Sequence, residues 1–62
     1  MAKRPVKQQK EISRLLSEGW TIYDDYIVAK VIVMHKKFMA GIQYCTITKT
    51  GEVKPGNHPP ES

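Results

Sequence analysis

The feature that most constrains this chain is a nine-residue apolar run from Tyr26 to Met34. Five of its nine residues are Val or Ile, and only Lys30 interrupts it. β-Branched side chains lose rotamer freedom in helices and pack well on pleated strands, so the run predicts a central strand. Alternate residues of a strand point to opposite faces, and both faces of this one are apolar. The rest of the chain must therefore cover at least one face of a sheet.

A helix suited to that task is predicted over Pro5–Ser17. Its residues are mostly strong helix formers, and Gly19 follows at the point where a left-handed residue commonly ends a helix. Three aliphatic residues share one side of this helix and three basic residues lie nearly opposite: Ile12, Leu15 and Leu16 against Lys7, Lys10 and Arg14. We therefore predict an amphipathic helix that packs on the sheet and leaves a basic stripe in solvent.

Strand signals continue on both sides of the apolar run. Trp20–Tyr23 predicts a short strand, and Asp24-Asp25 predicts the turn that follows it. His35–Lys37 is interpreted as a polar connection at a hairpin tip. Met39–Thr48 predicts another strand, and Glu52–Lys54 a brief edge strand after a glycine-containing turn. The predicted fold class is α+β, with one N-terminal amphipathic helix packed on a small three- to four-stranded antiparallel sheet.

A helical interpretation of the middle of the chain competes with these strands. Apolar side chains between residues 28 and 42 also follow helical spacing, with Asp25 as a possible cap and Gly41 as a possible end. The alternative fold is two helices followed by a C-terminal β-hairpin. Strands are favoured because Val33 and Met34 would fall off the apolar side of such a helix.

The length of 62 residues allows one domain. Residues 1–4 are predicted to be a flexible basic arm and residues 5–54 the single α+β domain. Residues 55–62 hold three prolines in eight positions and are predicted to be a disordered tail. No apolar run is long enough to predict a membrane span. Because the one cysteine, Cys45, has no partner for a disulfide in the chain, we expect a cytoplasmic protein.

Positive charge is concentrated near the N-terminus. Residues 1–14 hold five basic side chains against one acidic, an excess equal to the net charge of +4 of the whole chain. Such asymmetry favours a polyanionic partner, and DNA or RNA is the leading interpretation. We predict that contacts come from the arm, the helix stripe and the hairpin tip, namely Lys3, Arg4, Lys7, Lys10, Arg14, Lys36 and Lys37.

Signatures of catalysis are sparse. The glycines are isolated, so no phosphate-binding loop is predicted, and Cys45, His35 and His58 lack the spacing of metal ligands. Cys45 is interpreted as a small buried hydrophobe. We therefore predict no enzymatic activity, no cofactor and no metal.

A protein partner is the alternative to nucleic acid. One helix covers one face of the sheet, so the other face is predicted to be a partner or homodimer surface formed by Tyr26, Val28, Lys30, Ile32 and Met34. A protein of that kind would be an inhibitor or adaptor of a larger enzyme. Because single-strand binders stack bases on aromatic side chains beside basic ones, we also consider a small platform of Tyr26, Lys30 and Tyr44.

The segment Leu15–Trp20 resembles the helix-to-strand junction of many short bacterial and phage proteins. The small, basic, cysteine-poor chain as a whole is similar to accessory proteins of phages and mobile elements. The segment covers six residues and encodes a helix stop followed by a core aromatic, so it implies no function by itself.

Overall fold

One helix and four strands make up the described part of the chain, residues 4–60 of a computed structural model. In chain order they are α1 (Val6–Ser17), β1 (Thr21–Tyr26), β2 (Val31–Phe38), β3 (Gly41–Ile47) and β4 (Val53–Pro55). The strands form a single antiparallel sheet in the order β1-β2-β3-β4. The predicted α+β fold with one N-terminal helix is confirmed, and the two-helix alternative is wrong.

The core lies between α1 and one face of the sheet. Two residues of α1 and four of β2 and β3 form it: Ile12, Leu15, Ile32, Met34, Cys45 and Ile47. Trp20 packs against this cluster. Burial of each large aliphatic side chain contributes roughly 1.5–3 kcal/mol. Leu16, which was predicted to share the apolar side of the helix, is 48% exposed at its edge.

Gly19 ends α1 as predicted. It adopts a φ of +98°, and the amides of Gly19 and Trp20 donate to the carbonyls of Leu16 and Leu15 at 3.1 and 2.9 Å. These bonds satisfy two carbonyls that a helix end otherwise leaves free, and they lead the chain directly into β1. α1 has twelve residues, and no helix among residues 4–60 has the length and hydrophobicity of a membrane span.

The first turn of the sheet comes later than predicted. Asp24 and Asp25 belong to β1, and residues 27–30 form the turn to β2. The predicted strand Tyr26–Met34 therefore has the wrong bounds. Val28 is not in a strand at all and is 99% exposed in the turn.

Contacts from the N-terminal segment explain the position of this turn. Arg4 forms an ion pair with Asp25, which holds that carboxylate in β1. The fully buried side chain of Gln8 donates to the carbonyl of Lys30 at 2.6 Å. Lys30 has a φ of 58°, a conformation that a non-glycine residue adopts at a cost of about 1 kcal/mol. These long-range contacts outweigh the local turn preference of the two aspartates.

The segment predicted to connect two strands is itself part of β2. Its three residues pair with β3 in the register His35–Tyr44, Lys36–Gln43 and Lys37–Ile42. The hairpin turn lies at residues 39–40, so Lys36 and Lys37 are not at a hairpin tip.

The two faces of the sheet differ in their cover. Ile32 and Met34 point toward α1, so the intervening Val33 and the following His35 and Lys37 point to the other side, which we call the open face. The open face is partly covered, since Val33 has no exposed surface and Thr46 only 2%.

The C-terminal segment supplies part of this cover. Pro55 belongs to β4, and the amide of Gly56 donates to the carbonyl of Tyr44 at 2.8 Å. The hydroxyl of Thr46 donates to the carbonyl of Gly56 at 2.8 Å and accepts from the amide of His58 at 2.9 Å. Thr46 therefore connects residues 56–58 to β3, through bonds that the proline content of the segment does not reveal.

Candidate nucleic-acid interface

The predicted basic stripe lies on the exposed side of α1, but only part of it is unpaired. Lys7 and Lys10 are exposed, and neither forms an ion pair with a carboxylate among residues 4–60. Arg14 is held by two carboxylates, with Nη2 donating to Glu11 at 2.6 Å and Nη1 to Glu18 at 3.0 Å. The hydrogen bonds to Glu11 raise the pKa of Arg14, so the guanidinium stays charged while its donors are occupied.

Arg4 is anchored as well. Its guanidinium pairs with Asp25, and its carbonyl accepts a hydrogen bond from the side chain of Gln9 at 2.6 Å. Arg4, which the sequence assigns to the predicted arm, therefore contacts both β1 and α1. Lys3, the other basic residue of the predicted arm, lies outside the described residues.

Lys36 and Lys37 point to opposite faces of the sheet. On the α1 side, Nζ of Lys36 donates to the carbonyl of Glu18 at 2.6 Å and lies 5.3 Å from the centroid of the Phe38 ring. This ammonium therefore supports the negative end of α1. Lys37 is exposed on the open face, so it alone of the two is placed for a ligand there.

The predicted partner interface is not one surface. Ile32 and Met34 are fully buried beneath α1, so they cannot meet a partner. Val28 and Lys30 lie in the exposed turn, and Tyr26 belongs to β1. The prediction fails because it carries strand alternation through residues 27–30, where the chain turns.

Three aromatic rings meet on the open face. Tyr23 of β1, His35 of β2 and Tyr44 of β3 form this ring cluster on three neighbouring strands. The centroid of the Tyr23 ring lies 5.2 Å from that of His35 and 5.0 Å from that of Tyr44. The His35 and Tyr44 rings are 6.1 Å apart, with their planes within 18° of each other. These separations are those of favourable aromatic contacts.

A β-bulge brings Tyr23 into the ring cluster. The pairing of β1 with β2 passes from Ile22–Met34 to Asp24–Val33, so Tyr23 is an extra residue in β1. Such a residue redirects the neighbouring side chains and increases the local twist. The ring of Tyr23 consequently reaches the same face as the side chain of Asp24.

The platform considered from the sequence shares only Tyr44 with the ring cluster. Tyr26 also lies on the open face, but its hydroxyl donates to Asp24 at 2.9 Å, and this bond raises the pKa of Tyr26. Lys30 is in the turn. The sequence does not predict Tyr23 and His35 as members of the platform. Tyr23 reaches the open face through a bulge, and the sequence pattern places His35 in a connection.

Basic side chains flank the ring cluster. Lys37 follows His35 by two residues on the open face, and Lys54 of β4 lies opposite Thr46 on the same face. Tyr23 is 50% exposed, while His35 and Tyr44 are half-buried. The open face therefore offers aromatic surface and cationic groups together, which are the two elements that single-strand binders combine.

Cys45 lies on the other side of the sheet, in the core beneath α1, as its interpretation as a buried hydrophobe predicts. Burial raises the pKa of its thiol, which keeps the thiol protonated. His35 points to the open face, so these two residues do not form a nucleophile and base. Within residues 4–60, no three His, Cys, Asp or Glu side chains are grouped to hold a metal ion.

Comparison with protein families, with curated proteins and with solved structures finds no match to this chain. Its function is therefore argued from the geometry and chemistry of its own surfaces.

Proposed function

We propose that this protein binds nucleic acid through the phosphate backbone, largely without distinguishing base sequence. The observation that supports the proposal is a division between its two kinds of basic residue. Among residues 4–60 the ion pairs are formed by Arg4 and Arg14, which engage Asp25, Glu11 and Glu18. Seven described lysines form no such pair: Lys7, Lys10, Lys30, Lys36, Lys37, Lys49 and Lys54.

This pairing leaves a lysine-rich surface. The described residues hold five carboxylates, of which three are engaged by arginine, and the carboxylate of Asp24 accepts from Tyr26. Lysine ammonium groups that approach phosphates displace condensed counterions, which is the main source of sequence-independent affinity. A net charge of +4 on so small a chain also accelerates encounter with a polyanion.

The weak preference for base sequence follows from the ion pairs that the arginines form. The commonest base-specific contact in the major groove is a bidentate arginine on guanine, and both arginines of the chain are occupied by carboxylates. Lysine lacks the planar fork that makes such a contact selective. We place this activity in the cytoplasm, where the free Cys45 stays reduced, as that of a small accessory protein of the phage or mobile-element type.

A salt titration tests the contribution of α1. The variant Lys7→Gln/Lys10→Gln should flatten the dependence of log K on log salt by about 0.9 per lost duplex contact, or about 0.7 for a single strand. Lys30→Gln/Lys49→Gln is the matched control, because it changes the net charge equally through two exposed turn lysines outside the α1 stripe. Equal slopes for the two variants contradict a role for the α1 stripe, and absence of binding at low salt contradicts the whole proposal.

An exposed apolar area supports a second candidate function, that of a protein-binding inhibitor or adaptor. Near the β2–β3 hairpin Met39 is fully exposed, and Phe38 is 39% exposed with its ring 6.2 Å from that of Trp20. Exposed apolar groups of this kind suit a protein partner or a second copy of the chain. A partner retained in high salt and lost on Met39→Lys would favour this function, because phosphate contacts fade under those conditions.

A further inference from the structure

We propose that the open face stacks the bases of a single-stranded nucleic acid on the rings of Tyr23, His35 and Tyr44. This inference rests on the proposed nucleic-acid binding and names its substrate as a single strand in preference to a duplex. Bases of a single strand expose their faces and can stack on aromatic side chains. Bases of a duplex are already stacked on one another and are not available in this way.

The dimensions of the ring cluster fit this ligand. The three rings stand on neighbouring strands and converge, since their centroids lie 5.0 to 6.1 Å from one another in a compact triangle. A compact aromatic surface of that size accommodates about one or two stacked bases. Tyr23 presents the most exposed ring, and the half-buried His35 and Tyr44 support it from β2 and β3.

Charge defines the path of the sugar–phosphate chain. Lys37 lies beyond His35 in the direction of the β2–β3 hairpin, whereas Asp24 lies on the opposite side of the rings, next to Val33. Phosphates are therefore attracted to the Lys37 side and repelled from the Asp24 side. A strand that crosses the sheet from β1 to β3 places its backbone beside Lys37 and its bases over the rings.

The C-terminal segment defines where the site ends. Thr46 is two residues from Tyr44 on the same face, and its hydroxyl is covered by Gly56 and His58. This cover stops a strand from spreading along β3 and restricts stacking to the ring cluster. Lys54 lies past Thr46 on β4 and supplies a further cation at that border.

Fluorescence anisotropy at low salt with three probes tests the inference: a thymidylate dodecamer, a uridylate dodecamer and a DNA duplex of the same length. We expect the wild type to bind the single strands more tightly than the duplex. Tyr23→Leu and Tyr44→Leu should each weaken single-strand binding by about 5- to 150-fold and leave duplex binding within about twofold. Tyr23→Phe and Tyr44→Phe keep the ring and should bind single strands within about twofold of the wild type.

Two further measurements separate stacking from folding. Phe38→Leu is the matched control, because it removes a ring on the α1 side of the sheet and should leave single-strand affinity unchanged. Tyr44 is half-buried, so circular dichroism must show that its variants melt cooperatively. Aromatic proton shifts of Tyr23, His35 and Tyr44 in the wild type on addition of the thymidylate dodecamer give a readout that needs no variant, and we expect all three rings to respond.

The outcomes of these measurements distinguish base stacking from phosphate binding alone. Equal affinity for duplex and single strands, with unchanged binding by the leucine variants, overturns base stacking and leaves phosphate binding intact. Equal losses on duplex and single strands also overturn it, since the rings would then serve the fold. Failure to bind all three probes overturns both proposals. A preference for one dodecamer, together with weaker binding by the leucine variants, supports stacking and assigns DNA or RNA as the source of the strand.

Discussion

Gln8 shows how one polar side chain can connect three parts of this small fold. It is fully buried in α1, and the two N–H groups of its Nε2 are shared among the carbonyls of Lys30, Ile47 and Thr48, at 2.6, 3.2 and 3.2 Å. Its Oε1 is buried without a partner among the described residues. Because an unpaired buried acceptor is costly, the donor contacts of Gln8 must outweigh that cost.

Replacement of Gln8 is therefore expected to be damaging. Gln8→Ala removes the shared donor and leaves a cavity, so the free energy of unfolding should fall by roughly 2–4 kcal/mol in urea titrations. Gln9→Ala is the matched control, because Gln9 is exposed and its loss should cost under about 1 kcal/mol. Similar losses for both variants would show that Gln8 does not connect the elements.

The Cys45 thiol predicts a dependence of stability on alkaline pH. Burial raises the pKa of Cys45, so folding favours the protonated thiol. This contribution to stability is fully present below the pKa of the unfolded thiol and is lost as pH rises through the higher folded pKa. The free energy of unfolding should therefore decrease in alkaline urea titrations.

Cys45→Val should make this decrease smaller. The decrease should not vanish, because the raised pKa of Tyr26 acts with the same sign. An identical alkaline profile for the variant would exclude Cys45 as its source.

At the scale of elements, the sequence predicts what depends on neighbouring residues and misses what depends on distant ones. The end of α1 is predicted correctly because Gly19 and the helical period act locally. The β1–β2 turn is misplaced because its contacts come from Arg4 and Gln8, which are 21 and 22 residues away from their partners in the sequence. Its residues, from Ile27 to Lys30, include no glycine, proline, asparagine or aspartate that would signal a turn.

The candidate site also has residues that the sequence predicts and residues that it does not. The exposed lysines of α1 are predictable, since charge and helical spacing are properties of the sequence. The ring cluster is not, because the bulge at Tyr23 and the register of His35 with Tyr44 arise only when the strands pair. Arg14 belongs to the predicted stripe, but its two carboxylate partners remove it from the free surface.

The turn between β3 and β4 makes a close approach to α1 that can be tested at Gly51. A Cβ on Gly51 would lie 2.7 Å from the Cβ of Lys7, and the φ of Gly51 is +87°. At Gly19 the nearest atom to an added Cβ is the flexible Cε of Lys36, at 3.4 Å. We expect Gly19→Ala to cost about 1 kcal/mol and Gly51→Ala at least about 2 kcal/mol in urea titrations. The reverse order would contradict the packing of this turn on α1.

At the scale of the whole molecule, unpaired lysines repel one another. Salt screens this repulsion, so the melting temperature should rise by roughly 2–4 °C between low and moderate sodium chloride. Lys7→Gln/Lys10→Gln removes part of the repulsion and should reduce the rise in thermal melts followed by circular dichroism. A melting temperature that falls with salt would instead show that the arginine ion pairs dominate the electrostatics of the fold.

The bulge in β1 has a consequence for how such a surface can be gained and lost in evolution. Without Tyr23, Ile22 would still lie opposite Met34 and Asp24 opposite Val33, so the hairpin would keep its register and its packing under α1. A single inserted codon therefore separates a plain hairpin from one that carries the most exposed ring of the cluster. Related chains should differ by that one-residue gap while their cores stay the same.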